Sequence, residues 1–380
     1  MIYLDNNSTT RVDDKVIEFA LPYLTESFGN AASTHVFGQR INQAVNEARQ
    51  QVAKLIGGND DDIVFTSGAT EAINLAIKGI AENYQDKGKH IITLQTEHSA
   101  VLDTCQYLEK QGFEVSYLPV KADGLVDLDL LVNTLRNDTV LVSIMYVNNE
   151  IGVIQPIQQI AEMAHAKGAF FMTDATQAVG KLPIDVKGLG IDLMAFSGHK
   201  FHAPKGIGAL FVRDNKKKIR LNAQTHGGGH EKGLRSGTLN TFGIVALGKA
   251  CDIAKEEMKA NEKQIRVLRD TLEAELLKLP NTFINGSREH RLYNITNICF
   301  EGADSEAVIL GLEDIALSNG SACTSTSLEP SHVLKALGLT DEQAFQSLRF
   351  SLSKYTTKED IEKAVLMLSK VVTDLRELWS

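Results

Sequence analysis

The sequence predicts an α/β protein: a large domain on a mostly parallel sheet flanked by helices, and a smaller α+β domain. Three observations carry this. From residue 62, short runs that are apolar at every position alternate with helix-period segments, the pattern of strands buried on both faces and joined by crossover helices. The chain has 380 residues, 43% hydrophobic and 23% charged, enough for one large core and a second, smaller one. A long charged helical pattern from about 243 to 279, ended by Pro280, then breaks the alternation. Placing the junction in that helix assigns 11–255 to the large domain, and 1–10 with 256–380 to the small one.

Taken in order, IVFT (63–66), HIITL (90–94), VLVSIMY (140–146) and AFFMTD (169–174) read as buried strands, with helices over 69–84, 99–111 and 156–167 between them. Right-handed crossovers in such a sheet gather polar groups at the carboxyl ends of the strands. DLMAFSGHK (192–200) and GIGALFV (206–212) read as two strands joined through GHKFHAPK. Beyond the long helix come NITNICF (294–300), a helix near 304–312, a helix after Pro330, the strand-like LRFSL (348–352) and a closing helix from about 357 to 377.

A net charge of -9 gives no general electrostatic reason to bind nucleic acid or an anionic membrane, so the partner is a small molecule or a protein. The start, MIYLDNNSTT, lacks a basic segment followed by an apolar run, and no stretch approaches the roughly 20 apolar residues of a membrane span. The expected location is cytoplasmic. The four cysteines lie far apart without a CxxC pair, as reduced thiols do. Cys105 and Cys299 sit in helix-like and strand-like contexts. Cys323 instead lies in SNGSACTSTSLEP (318–330), among Ser, Thr and Gly, where a solvated loop is expected rather than the buried site usual for a free thiol.

Several strand ends carry polar groups that a core would reject. FTSGATEA (65–72) is a strand, a Ser-Gly turn and a helix start; it suits an anion at the helix end, and capping by Ser67 or Thr70 explains it equally well. Asp174 closes an apolar strand in MTDATQAVGK, where a carboxylate needs a cation or several donors. SGHK (197–200) places the amine of Lys200 at another strand end; such an amine can form a Schiff base when its pKa is lowered. Alone, Lys200 would be an ordinary surface lysine. With Asp174, the 67–70 turn and His98 in TEHSAVLD at ends of the same sheet, the set meets the needs of pyridoxal phosphate: an imine-forming lysine, a carboxylate for a pyridinium and a helix end for a phosphate.

TEHSAVLDT, VNNEIGVIQP, DATQAVGKLPID, SGHKFHAPKGIGAL, HGGGHEKGLRSGT, SNGSACTSTSLEPSHVL and RFSLSKYTT together resemble the cysteine desulfurases of the NifS/IscS type (group I), in the class V branch of the fold-type I pyridoxal-phosphate transferases. The likeness runs through essentially the whole chain. It implies a seven-stranded sheet and conversion of L-cysteine to L-alanine, with sulfur passed to Cys323 as a persulfide. By the same resemblance Lys200 bonds the cofactor, Asp174 and Gln177 contact its ring nitrogen and phenolic oxygen, and His98 stacks on the ring and moves protons. Ala69, Thr70, Ser197 and His199 match the phosphate cradle, and Thr238 a phosphate ligand from the second subunit of a homodimer. Asn149 and Arg349 match substrate-side groups, Arg349 clamping the carboxylate.

The resemblance also implies a sulfur-acceptor protein, such as an iron-sulfur scaffold or a tRNA-thiolation protein. Relatives that feed the scaffold often extend beyond the RELWS end and dock through that tail, which leaves this partner open. Residues 29–33 (GNAAS) and Ser8, where Ala is commoner, depart from the family pattern and are expected to touch no catalytic role. Competing readings are another class V enzyme, a non-catalytic sulfur carrier, a metal site from His226, His230 and His202, and a bound iron-sulfur cluster. The nucleophile-like setting of Cys323, the intact Lys200, Asp174 and His98, the three glycines between the two histidines and the lone exposed cysteine argue against each in turn. No resident metal is expected. A transient cluster bridged to a partner through Cys323 stays open.

Overall fold

The computed structural model describes residues 1–214, 219–320 and 329–379. Twelve strands are present among them: β1 Ile2–Tyr3, β2 Ile63–Thr66, β3 His90–Leu94, β4 Glu114–Leu118, β5 Thr139–Ser143, β6 Phe170–Asp174, β7 Leu193–Ser197, β8 Gly208–Val212, β9 Thr282–Ile284, β10 Ile295–Phe300, β11 Ile315–Ala316 and β12 Ser347–Ser351. Seven form one sheet in the order β2-β8-β7-β6-β5-β3-β4. All are parallel except β8, which runs antiparallel to both β2 and β7. The mostly parallel seven-stranded sheet therefore stands. β2, β3, β5, β7 and β8 are buried at every position, as their unbroken apolar runs require.

Helices cover both faces. Ala69–Asn83 and Ser99–Glu109 pack on one side, where Ile73, Ile77, Ile80, Val101 and Cys105 join a core with Ile91, Leu141 and Leu210. Val36–Ile56, Ile157–Ala166 and Thr241–Leu276 bury Ile41, Val52, Ile160 and Leu247 against Phe65, Ile92, Phe171 and Phe196 on the other. The remaining strands form an antiparallel sheet β12-β10-β9 and a parallel pair β1-β11. Bridges from Asp5 to Ser351 and from Ser318 to Arg349 join the chain's first residues to this smaller sheet.

Two boundaries differ from expectation for reasons that bear on the site. The regular strand ends at Ser143 within the apolar run 140–146, though Ile144 and Tyr146 N–H still donate to Met172 O and Asp174 O of β6, while Met145 and Val147 line a cavity. The run 192–200 stops at Ser197, and Gly198–Lys200 form a single 3-10 turn. Among the described residues, no helix is long and apolar enough to cross a membrane.

Candidate active site

A cavity of about 550 Å³ lies at the carboxyl ends of β2, β3, β5, β6 and β7, and its wall includes Ala69, Thr70, His98, Asn149, Asp174, Gln177, Ser197, His199, Lys200 and Arg349. Every described residue singled out in sequence as catalytic, cofactor-binding or substrate-binding, Thr238 excepted, is brought together here. Thr238 is exposed and outside the wall. Its neighbour Arg235 ties the RSGT segment to the start of the Ala69–Asn83 helix through Glu71, with Nε to Oε1 at 2.7 Å. Cys323 lies outside the described residues, but Gly320, three positions before it, is in the wall.

At the phosphate-sized end, the Ala69–Asn83 helix has Gly68 as its N-cap and no side-chain cap. The capping alternative thus fails, since no side-chain oxygen among the described residues accepts from the helix's first N–H groups, and these keep the positive helix end for an anion; Ser67 N–H itself donates to Glu71 Oε2 at 2.8 Å. Glycine at 208 permits this closeness, since a Cβ there would stand 2.7 Å from Gly68 Cα and 2.5 Å from Phe196 O. Burial, and then the Lys200, Lys205 and Lys181 ammonium groups, push His199 down to about 4.

Across the cavity, Asp174 closes β6 almost fully buried, its Oδ1 accepting from Thr176 N–H at 2.9 Å. His98 is the N-cap of the Ser99–Glu109 helix, and its Nδ1 accepts from Ala100 N–H at 3.0 Å. Accepting there leaves the ring proton on Nε2. Gln177 donates through Nε2 to Asn7 O at 3.0 Å and accepts at Oε1 from Lys181 Nζ at 2.8 Å. Lys200 Nζ donates to Asn7 O at 2.6 Å and Ser8 O at 2.9 Å.

On the substrate side, the pair Asn148–Asn149 divides its labour. Asn148 Oδ1 accepts from Glu150 and Ile151 N–H and its Nδ2 donates to Thr96 O, which fixes the turn and presents Asn149 to the cavity. Arg349, in the middle of β12, donates from Nη1 to Asn149 O at 3.1 Å and from Nη2 to Asp5 Oδ1 at 2.8 Å and Ser8 Oγ at 2.7 Å. Ser8 is thus in direct contact with two site residues, and the expectation that its departure from the family touches nothing catalytic is corrected. Asn7, Ser8, Thr176, Lys181 and Lys205 are not among the residues singled out from sequence.

The three described cysteines are unsuited to nucleophilic work. Burial pushes the Cys105 thiol up to about 12 and Cys299 to about 11, and raises Cys251 as well, against a free thiol near 8.5. Of the histidines weighed as metal ligands, His202 is engaged with Arg11 O at 2.9 Å and edge-on to Tyr355. The turn after His230 is anchored by Glu231, which takes both Arg49 Nη2 at 2.6 Å and Phe65 N–H at 2.7 Å.

A lysine, a strand-end carboxylate and an open helix end at the carboxyl edge of this sheet define a pyridoxal-phosphate enzyme. The aminotransferase class-V profile matches residues 2–364, and the chain belongs to that family. Within it the chain belongs with the cysteine desulfurases. It is 54% identical over 380 residues to cysteine desulfurase IscS of Edwardsiella ictaluri (strain 93-146), across 99% of this chain and 94% of that one. The IscS of Pasteurella multocida (strain Pm70) matches at the same identity and coverage. Among solved structures, a NifS-like protein superposes with a TM-score of 0.91 at 38% identity, covering 98% of this chain and 99% of the other. A structure described as SspA in complex with cysteine gives 0.83 at 37% identity, covering 94% and 100%.

Pyridoxal phosphate is the cofactor of this family, and the residues present fit it. The uncapped helix end suits a phosphate, the Asp174 carboxylate a ring cation and the Lys200 amine an aldehyde. Asn7 Oδ1, Thr176 Oγ1 and Arg349 Nε, all in wall residues, are buried without a partner, and such atoms call for a polar ligand.

Proposed function

We propose that the protein is a pyridoxal-phosphate-dependent cysteine desulfurase that converts L-cysteine to L-alanine and holds the sulfur on Cys323 as a persulfide. The observation that carries this reading is the meeting of Lys200, Asp174, His98 and Arg349 in one cavity whose wall includes Gly320, three residues before Cys323. When bound, the cofactor supplies an electron sink that acidifies the substrate's Cα–H. Ala69, Thr70, Ser197 and His199 would hold its phosphate, Asp174 its ring nitrogen and Gln177 its phenolic oxygen, with His98 over its face.

Arg349 and Asn149 take the amino acid's carboxylate and orient it. Lys200, once displaced by the substrate's amine, is the base at Cα, and the carbonyls of Asn7 and Ser8 give its amine fixed acceptors. His98, neutral with its proton on Nε2, relays protons at the sulfur side. The Cys323 thiolate attacks the substrate sulfur: an S–S bond forms as the C–S bond breaks, and its electron pair stays on carbon, which is reprotonated to give alanine. The persulfide then passes to an acceptor protein, an iron-sulfur scaffold or a tRNA-thiolation protein.

The same proposal includes a homodimer in which Thr238 completes the phosphate site of the second copy, and a cytoplasmic location. It keeps the division at 255, inside the Thr241–Leu276 helix; the pairing of β1 with β11 and the Asp5–Ser351 bridge support only the grouping of 1–10 with the C-terminal part. The test is spectral and chemical together. The loaded protein should absorb near the visible edge, and Lys200→Ala should abolish that absorbance. Cys323→Ser should keep the absorbance and its change on adding cysteine, while alanine formation falls by about 100-fold or more. Normal turnover in Cys323→Ser would remove the persulfide from the mechanism.

A further inference from the structure

Arg349 is already heavily engaged. Of the two N–H bonds of Nη2, one goes to Asp5 Oδ1 at 2.8 Å and the other to Ser8 Oγ at 2.7 Å. The Ser8 hydroxyl spends its own hydrogen on Asp5 Oδ1 at 2.8 Å, so toward Arg349 it can only accept. Nη1 donates to Asn149 O at 3.1 Å, and Nε is buried with no partner among the described residues. A carboxylate binds a guanidinium at two points either through Nε with Nη2 or through Nη1 with Nη2. Both forks include Nη2, and both of its hydrogens are taken.

We infer that Ser8 sets how tightly the amino-acid carboxylate is held, by occupying the Arg349 donor that two-point binding requires. The inference rests on the reading of Arg349 as the carboxylate ligand. An incoming carboxylate meets the unpartnered Nε first and must then displace Asp5 or Ser8 from Nη2. Asp5 is an ionic partner, and losing it would leave a charged bond unmade. Ser8 is a neutral acceptor whose Oγ swings away by rotation about Cα–Cβ, so Ser8 yields. Alanine at this position, the commoner residue in the family that the sequence resembles, leaves one Nη2–H ready for a carboxylate. The guanidinium would keep its orientation, since Asp5 and Asn149 O still hold it. Ser8 is thus a positioning residue that acts through Arg349 and lowers affinity for the substrate and product carboxylates alike.

The experiment compares loaded wild type, Ser8→Ala and Ser8→Thr. In Ser8→Ala the KM for L-cysteine and the spectrally titrated Kd for L-alanine should both fall about three- to tenfold. The Kd for cysteamine, which has no carboxylate, should not move, and that also reports an intact fold. Ser8→Thr, which keeps the hydroxyl, should follow wild type. Unchanged or raised values in Ser8→Ala, in a protein that still prefers cysteine to cysteamine, overturn the inference. Wild type binding cysteamine as tightly as cysteine overturns the role of Arg349 itself, and the inference with it.

Discussion

Replacing Lys181 by Met tests how the site handles its surplus of cations. Lys181 is 8% exposed, lines a small cavity of about 40 Å³ behind Lys200 with Asn6, Asp13, Asn294 and Lys354, and makes a 2.8 Å bond to Gln177 Oε1. Burial, then the charges of Lys200 and Arg349, push its amine from 10.5 down to about 7. That interval corresponds to roughly 5 kcal/mol of proton affinity. Below about pH 7 the amine is protonated folded and unfolded, and the whole cost of burying the charge is present. Between there and 10.5 the unfolded chain binds a proton that the folded one does not, so wild-type stability rises with pH. Methionine of similar length removes the charge and also the bond to Gln177, which returns about 1.5 to 3 kcal/mol. Lys181→Met should therefore be more stable than wild type by about 2 to 3 kcal/mol near pH 6.5, and the gain should vanish toward pH 10. Urea unfolding of the cofactor-free protein at several pH values, followed by far-ultraviolet circular dichroism, reads this directly. A variant less stable than wild type at every pH, by a constant margin, would refute the reasoning.

Gly208→Ala places a methyl 2.5 Å from Phe196 O and 2.7 Å from Gly68 Cα. The Ser67–Gly68 turn must then back away, and equilibrium dialysis should show pyridoxal phosphate bound at least tenfold more weakly, with a stability loss of about 2 kcal/mol; unchanged cofactor affinity would mean that the turn is not the phosphate seat. A thiol reagent applied to the native protein should modify one cysteine quickly and none in Cys323→Ser, because Cys105, Cys251 and Cys299 are buried. Fast labelling of any of those three would show that their burial is not maintained in solution.

The parallel strands and the polar residues at their ends are legible because burial on both faces leaves no polar position to blur the run, so Asp174 and Lys200 stand out. β4 is not legible: EVSYL is an edge strand exposed at Glu114 and half-buried at the next three positions, so neither continuity nor strict alternation marks it. Val36–Ile56 is legible in principle, its buried stripe Ile41, Val45, Ala48 and Val52 falling at helical spacing among Gln, Asn and Arg, but it lies before the strand–helix alternation begins. In the site, Lys181 reads as a surface lysine because its desolvation arises only when the smaller sheet closes behind it. The acceptors of Lys200 are the backbone carbonyls of Asn7 and Ser8, and a backbone carbonyl leaves no mark on a sequence. Ser8 shows in sequence only as a departure; its grip on Arg349 spans 341 positions along the chain.

That span also sets the order in which the enzyme can come into being. On a growing chain the seven-stranded sheet is complete once β8 has emerged, and Lys200, Asp174 and the helix end can assemble then. Asp5 and Ser8 were made before any of them, yet their side chains have no guanidinium to hold until β12 delivers Arg349. On the proposed reading, a nascent chain can therefore own a seat for the cofactor while the carboxylate clamp does not yet exist. Recognition of the amino acid would then be the last property of the site to be born, although Asp5 and Ser8, made before the seven-stranded sheet, belong to it.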